Sequence, residues 1–144
     1  MAKPKYHIEK VDWQAHIDML MHIRKVVFIQ EQNVPPHEEW DDYDATSEHF
    51  LAFDTKRDAV GSGRLQPNGK ITRMAVLSSA RGKGAGAALL EALIIAAVQQ
   101  GKAIPWLHAQ IDAVGFYSQY GFAVEGEPFD EAGIQHCLMR MTRT

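Results

Sequence analysis

Residues 81–86 read Arg81-Gly82-Lys83-Gly84-Ala85-Gly86. Before them, Lys70 to Leu77 has the pattern of a strand. After them, the run from Ala87 to Gln100 is rich in Ala, Leu and Ile and predicts a long helix stopped by Gly101. A glycine-rich turn between strand and helix lets backbone N–H groups approach a ligand closely, and the free N–H groups of a helix start favour an anion. Arg81 and Lys83 add positive charge, so the segment predicts a phosphate or pyrophosphate site, with a plain turn as the alternative. Gly82, Gly84 and Ala87 also match the G-x-G-x-x-A dinucleotide pattern. Only 57 residues follow Ala87, however, too few for the further βα units of that fold. No Gly-Lys-Ser/Thr ends the turn, which excludes a P-loop.

Working outward, Tyr6 to Val11 alternates weakly as a strand, and Asp12 is a helix N-cap. From Trp13 a helical pattern places Ile17, Leu20, Met21, Val27 and Phe28 on one face and runs to Gln30–Gln32, before Pro35-Pro36 forbid it. His37 to Glu48 reads as irregular. His49–Asp54 and Ala59–Gln66 read as strands, and Asn68-Gly69 predicts a type I′ hairpin turn into Lys70–Leu77. Beyond Gly101, a strand at Ile104–Ala109 precedes a short helix at Ala113–Tyr120, stopped by Gly121. Strands at Phe122–Glu125 and His136–Thr142 flank a loop at 126–133. The order β-α-β-β-β-α-β-α-β-β predicts a mixed α/β chain forming a single domain over 1–144.

The 144 residues are 46% hydrophobic and 23% charged, which excludes disorder by composition. The single cysteine, Cys137, cannot form an internal disulfide, fits a reducing compartment, and reads as a packed strand residue. No apolar run reaches the ~20 residues of a membrane span and residues 1–7 lack an apolar signal core, so the expectation is a cytoplasmic protein without a membrane partner. A net charge of −3 argues against nucleic acid as partner. The seven histidines show no ligand spacing, so no metal is expected. The charge is unevenly spread. Residues 26–55 hold eight acids (Glu31, Glu38, Glu39, Asp41, Asp42, Asp44, Glu48, Asp54) and no Lys or Arg, leaving five excess cations elsewhere.

Arg81-x-x-Gly84-x-Gly86 after Met74-Ala75-Val76 resembles the Q/R-x-x-G-x-G/A signature of the GNAT superfamily of acetyl-CoA-dependent N-acetyltransferases. Ala113-x-x-Phe116-Tyr117-x-x-x-Gly121-Phe122 resembles the second cofactor element of that superfamily, one helix and one strand downstream as the resemblance requires. Val27-Phe28-Ile29-Gln30-Glu31-Gln32, with Asp41, Asp44, His49 and His108-Ala109-Gln110, further resembles its ElaA-like or YjcF-like bacterial branch. The resemblance covers nearly the whole chain. It implies a central mixed, mostly antiparallel sheet flanked by helices, with acetyl-CoA as acyl donor. It puts the donor against Met74, Ala75 and Val76, the turn Arg81, Gly82, Lys83, Gly84, Ala85 and Gly86, and Gln110, Phe116 and Tyr117. The acceptor side is implied for Glu31, Asp41, Asp44, His49 and His108.

Making an amide from a thioester requires a neutral amine, donors for the oxyanion, and a proton for the leaving thiolate. The resemblance implies a splayed strand at Met74–Val76, with Met74 N–H as the oxyanion donor, and Tyr117 as general acid, with Tyr120 as the backup. An alkyl amine at pKa ~10.4 is protonated at pH 7 by roughly 4.6 kcal/mol. Glu31, His49, His108 and His136 are the candidate bases, Glu31 foremost, with solvent as the alternative. An acidic rim with Trp40 and Tyr43 suits a small cationic amine, and a solvated acid-rich loop is the competing reading. Direct attack in a ternary complex is expected, since no nucleophile stands in a motif. The rival expectations are acetylation of a protein's lysine or N-terminal amine, or a non-catalytic acyl-CoA-binding domain. A homodimer is the oligomer left open.

Overall fold

The computed structural model describes residues 5–101 and 104–142; residues 1–4, on which the reading of the leader partly rests, lie outside them. In chain order the elements are β1 (His7–Val11), α1 (Ile17–Arg24), α2 (Pro36–Glu39), β2 (Glu48–Phe53), β3 (Ala59–Leu65), β4 (Lys70–Val76), α3 (Ala85–Gln99), β5 (Trp106–Gln110), α4 (Val114–Ser118), β6 (Phe122–Glu131) and β7 (Ile134–Met141). The strands form one seven-stranded sheet in the order β1-β2-β3-β4-β5-β7-β6. Neighbours are antiparallel except β4 and β5, which are parallel, as a strand–helix–strand crossover through α3 demands.

Alternation along the strands builds two cores. In β2, Phe50 and Ala52 join the cluster around α3, where Leu89, Leu90, Leu93 and Ala97 are buried. Leu51 between them faces the opposite cluster, around Leu20, Ile23 and Val27. In β4 the alternation slips. Ile71 belongs to the α3 core and Ala75 to the α1 core, although residues four apart in a regular strand share a face. The pairing explains the slip: Arg64 faces Thr72 and Ser62 faces Ala75, so two residues of β4, Arg73 and Met74, oppose Gly63 alone. This is a β-bulge, and Arg73 takes a φ of 55° to make it.

Several local readings are revised. Asp12 does cap, accepting from Ala15 N–H at 2.9 Å, but regular α-helix begins only at Ile17. The first helix reaches Glu31 as expected, but Lys25–Glu31 is π-helical, and its wider turn closes with Gln32 N–H donating to the Val27 carbonyl. Asn68-Gly69 does turn the chain. Only Gly69 has positive φ, however, and Gly69 N–H donates to the Gln66 carbonyl, so the turn is not type I′. Residues 126–133 are not a loop. β6 continues to Glu131, pairing Phe129 with His136 and Glu131 with Ile134. Gly126 and Pro128 fall in the register shift between Glu125 and Phe129, and the edge strand tolerates a proline that a central strand would not.

Gly63, opposite the bulge, is close-packed. A Cβ there would lie 2.8 Å from Leu93 Cδ1, on a leucine with no exposed surface. Gly63→Ala is expected to cost about 1–3 kcal/mol in urea unfolding. Combined with Leu93→Val, which removes the opposing methyl, the loss should fall short of the sum of the single losses by at least ~0.5 kcal/mol; strict additivity would place the strain elsewhere.

Candidate active site

The bulge bends β4 away from β5. Only Lys70–Trp106 and Ile71–Leu107 are paired between them, yet β4 runs on to Val76 and β5 to Gln110. Beyond Leu107 the two strands part, and the edge of Met74–Val76 that faces β5 is left without a ladder partner there. A cleft of about 620 Å³ lies in this fork, lined among others by Met74, His108, Gln110 and Tyr117. A second cleft of about 240 Å³ adjoins it, lined by Val76, Ala80, Arg81, Gly82, Gly84, Gly86, Ala87 and Phe116.

The smaller cleft is the glycine turn itself. Gly82 and Gly84 have φ of 73° and 101°, and a Cβ on either would meet nothing within 4 Å. Glycine is required there by backbone conformation, and its absence of side chain leaves the approach open. Gly84 is the N-cap of the fifteen-residue α3 and provides no side-chain cap, so the first N–H groups of the helix have no side-chain acceptor there. Arg81 spans the mouth of the turn, its Nε donating to the Val76 carbonyl at 2.9 Å and its guanidinium meeting Glu31 at 2.8 Å. Lys83 Nζ donates to the Ser79 carbonyl at 3.1 Å.

In the larger cleft, the Tyr117 hydroxyl lies 3.8 Å from Met74 Sδ, and burial pushes the phenol up to about 12. Tyr117 therefore holds its proton throughout the neutral range. Gln110 Nε2 donates to Gln32 Oε1 at 2.9 Å, tying the end of β5 to the π-helical segment. Tyr120 packs on Phe116, with ring centroids 5.4 Å apart, and lines neither cleft.

The acidic segment is not an open rim. Glu39, Asp41 and Asp44 alternate with Arg24, Arg73 and Arg64 in a closed ring of six charges. Arg24 binds Glu39 and Asp44, Arg64 binds Asp44 and Asp41, and Arg73 binds Asp41 and Glu39, with N–O distances from 2.5 to 3.1 Å. Arg24 and Arg64 are each 1% exposed. Burial raises the carboxyl of Glu39 despite the pull of Arg24 and Arg73. Burial also works against Asp41 and Asp44, but there the hydrogen bonds and charge of the arginines prevail. Asp41 is held down at about 2 by Arg64, and Asp44 is lowered by Arg24 and Arg64.

Of the expected acceptor-side residues, Asp44 is thus spent inside the protein, and Asp41 lines the cleft with its charge already matched. His49 is 1% exposed, stacks on Trp13 and donates Nε2–H to the Asp44 carbonyl at 2.8 Å, and burial lowers its pKa. Glu31 lines neither cleft. Only His108 stands in the fork without being drawn into the ring. No local pattern in the sequence marks the partnership of Arg24, Arg64 and Arg73 with the acids.

Residues 22–143 match the family model described as an acetyltransferase (GNAT) domain. The uncharacterized N-acetyltransferase YjcF of Bacillus subtilis (strain 168) is 40% identical over 122 residues, covering 82% of this chain and 86% of that one. An acyl-CoA N-acyltransferase from Pseudomonas aeruginosa superposes with a TM-score of 0.81 at 27% identity, covering 95% of this chain and 98% of that one. Escherichia coli ElaA superposes at 0.80 and 23% identity, covering 94% and 99%.

The ring has measurable consequences. Arg24→Met leaves two buried carboxylates short of a counter-charge and is expected to cost about 3–5 kcal/mol in denaturant unfolding at pH 7. Because Asp41 is depressed in the fold, its contribution is complete above its ordinary value of 3.8 and is lost as pH falls towards 2. Urea midpoints of Asp41→Asn should accordingly fall less steeply than those of the parent between pH 4 and pH 2.

Proposed function

Because the chain belongs to the GNAT acetyltransferase family and is an acyltransferase, we propose that it moves the acetyl group of acetyl-CoA to the primary amine of a small acceptor by direct attack in a ternary complex. The observation that carries this reading is the fork. One unpaired strand edge runs from the cleft that holds a protonated phenol, at Met74, to the cleft formed by a glycine turn opening a helix, at Val76.

The residues present fit such a donor. The positive-φ glycines and the uncapped start of α3 suit the diphosphate, with Lys83 adding charge and Arg81 fixed across the turn by Val76 and Glu31. The edge of Met74–Val76 offers backbone groups to an extended amide-bearing arm. When bound, acetyl-CoA supplies a thioester carbonyl open to attack. Met74 N–H donates to its oxygen as negative charge gathers there. Tyr117, protonated at neutral pH, donates to the departing sulfur. Cys137, the only cysteine, is buried in β7 and lines neither cleft, which supports direct transfer over a covalent acyl-enzyme.

The acceptor class is broader in one respect than the sequence suggested. With Glu39, Asp41 and Asp44 matched by arginines, the acidic segment gives no reason to expect cationic character beyond the amine itself.

A thiol-release assay with acetyl-CoA and a panel of primary amines, including a lysine-containing peptide, tests the reading. Turnover with small amines supports it. Turnover with the peptide alone points to protein acetylation, and binding of acetyl-CoA without turnover points to a sensing domain. In Tyr117→Phe, kcat is expected to fall about 10–100-fold with the acetyl-CoA Kd unchanged within twofold; full activity would remove Tyr117 from the acid role.

A further inference from the structure

One step of the reaction has no residue yet, namely removal of the proton from the incoming ammonium. The sequence offers four groups for it, and their surroundings separate them. Glu31 is held by Arg81 at 2.8 Å outside the larger cleft, and His49 is sealed against Asp44 and Trp13. In His136, Nδ1 donates to the Ile134 carbonyl at 2.7 Å, and the ring is stacked against Phe129 in a nearly closed site. His108 differs from all three. It is the first residue of β5 beyond Leu107, the last to pair with β4, so it stands where the strands part. It shares the cleft-facing side of β5 with Trp106 and Gln110, while Leu107 and Ala109 are buried in the core. Its Nδ1 lies 2.9 Å from Glu131 Oε1, near the tip of the β6–β7 hairpin, and its ring is braced edge-on by Phe129 and Trp106.

Resting on the acetyl-transfer reading above, we infer that His108 is the general base of the reaction and that Glu131 is its positioning residue. The carboxylate accepts the Nδ1 proton, which fixes the tautomer and leaves the Nε2 lone pair free; no hydrogen bond among the described residues occupies it. A proton passes from the acceptor's ammonium to Nε2, and the imidazolium is held by Glu131 until the proton leaves to solvent. The neutral amine then forms the N–C bond as the C–S bond breaks. Its second proton passes to Tyr117 as Tyr117 gives its own to sulfur, so the products are the amide, the free thiol and one released proton. The other charged and titratable groups lining this cleft are Lys70 and Arg73 of β4, Arg64 of β3, Glu38, Glu39 and Asp41 of the segment after α1, Tyr117 of α4 and His136 of β7. Glu131 lies 3.7 Å from His136 Nε2 and so serves both imidazoles.

The experiment compares wild type, His108→Gln and Glu131→Gln. Its acceptors are an active, strongly basic alkylamine from the panel and hydroxylamine, which is already neutral at pH 7. In His108→Gln, kcat/KM for the alkylamine at pH 7 should fall about 100-fold or more, recover as pH rises, and change much less for hydroxylamine, with the acetyl-CoA Kd retained. In Glu131→Gln, kcat/KM for the alkylamine at pH 7 should fall about 5–10-fold, because the ring loses the acceptor that fixes its tautomer, and should change much less for hydroxylamine. Glu131 is largely exposed, so that variant carries the test even if His108→Gln misfolds. Equal losses for both acceptors, or a loss under twofold for the alkylamine, would overturn the assignment. A wild type inactive with every amine would instead overturn the acetyl-transfer reading beneath it.

Discussion

Arg73 is the surplus residue of β4 and also the link that closes the ring of six charges. Its left-handed backbone is costly for a side chain with a Cβ, by about 1–3 kcal/mol. The same turn of backbone sends its guanidinium to Glu39 and Asp41 and shifts the phase of everything after it. Met74 and Val76 consequently pack into the core around α3, which Tyr117 of α4 also joins, while Ala75 packs towards α1. The fork, the phenol beside Met74 and the arginine-bound loop thus share one origin.

The ring also accounts for the order in a segment with little regular structure. Residues 37–47 form no strand, and α2 is a single turn. Each carboxylate in the ring meets two guanidinium groups and each guanidinium meets two carboxylates, so the cluster is neutral as a whole and no buried charge is left alone. Burying ions costs several kcal/mol apiece, and such a cluster contributes less to net stability than to uniqueness: any other placement of the loop would leave charges unmatched. Trp40 and Trp13 complete the enclosure with their rings 5.1 and 5.7 Å from the Arg24 guanidinium. This wall of the larger cleft is thereby held without backbone ladders.

What could be read in advance followed the range of the forces involved. The turn at 81–86 and the element at Ala113–Phe122 are local patterns, and they carry the family; Val27–Gln32, with Asp41, Asp44, His49 and His108–Gln110, carries its ElaA-like or YjcF-like branch. The order of strands and helices was legible because periodicity is local too. The ring was not, since its members lie 15 to 34 residues apart and no local pattern links Arg64, near the end of β3, to the acids. Counting acids without their distant partners turned a neutral cluster into a negative surface. The full length of β6 escapes the sequence for a different reason. Gly126 and Pro128 do break a central strand, and only the three-dimensional order of the sheet reveals that this one lies at the edge.

That edge position bears on self-association. Ten residues of β6 lie along the rim of the sheet with most side chains exposed, which is the geometry by which a strand from another molecule could extend the sheet. The bulge around Gly126 and Pro128 interrupts the row of donors that an incoming strand would read, and Pro128 contributes no N–H at all. Glu127 and Asp130 add exposed like charges along the same strand, which oppose a second copy aligned edge to edge. The irregularity that hides β6 in the sequence is what keeps this rim from becoming a template for aggregation.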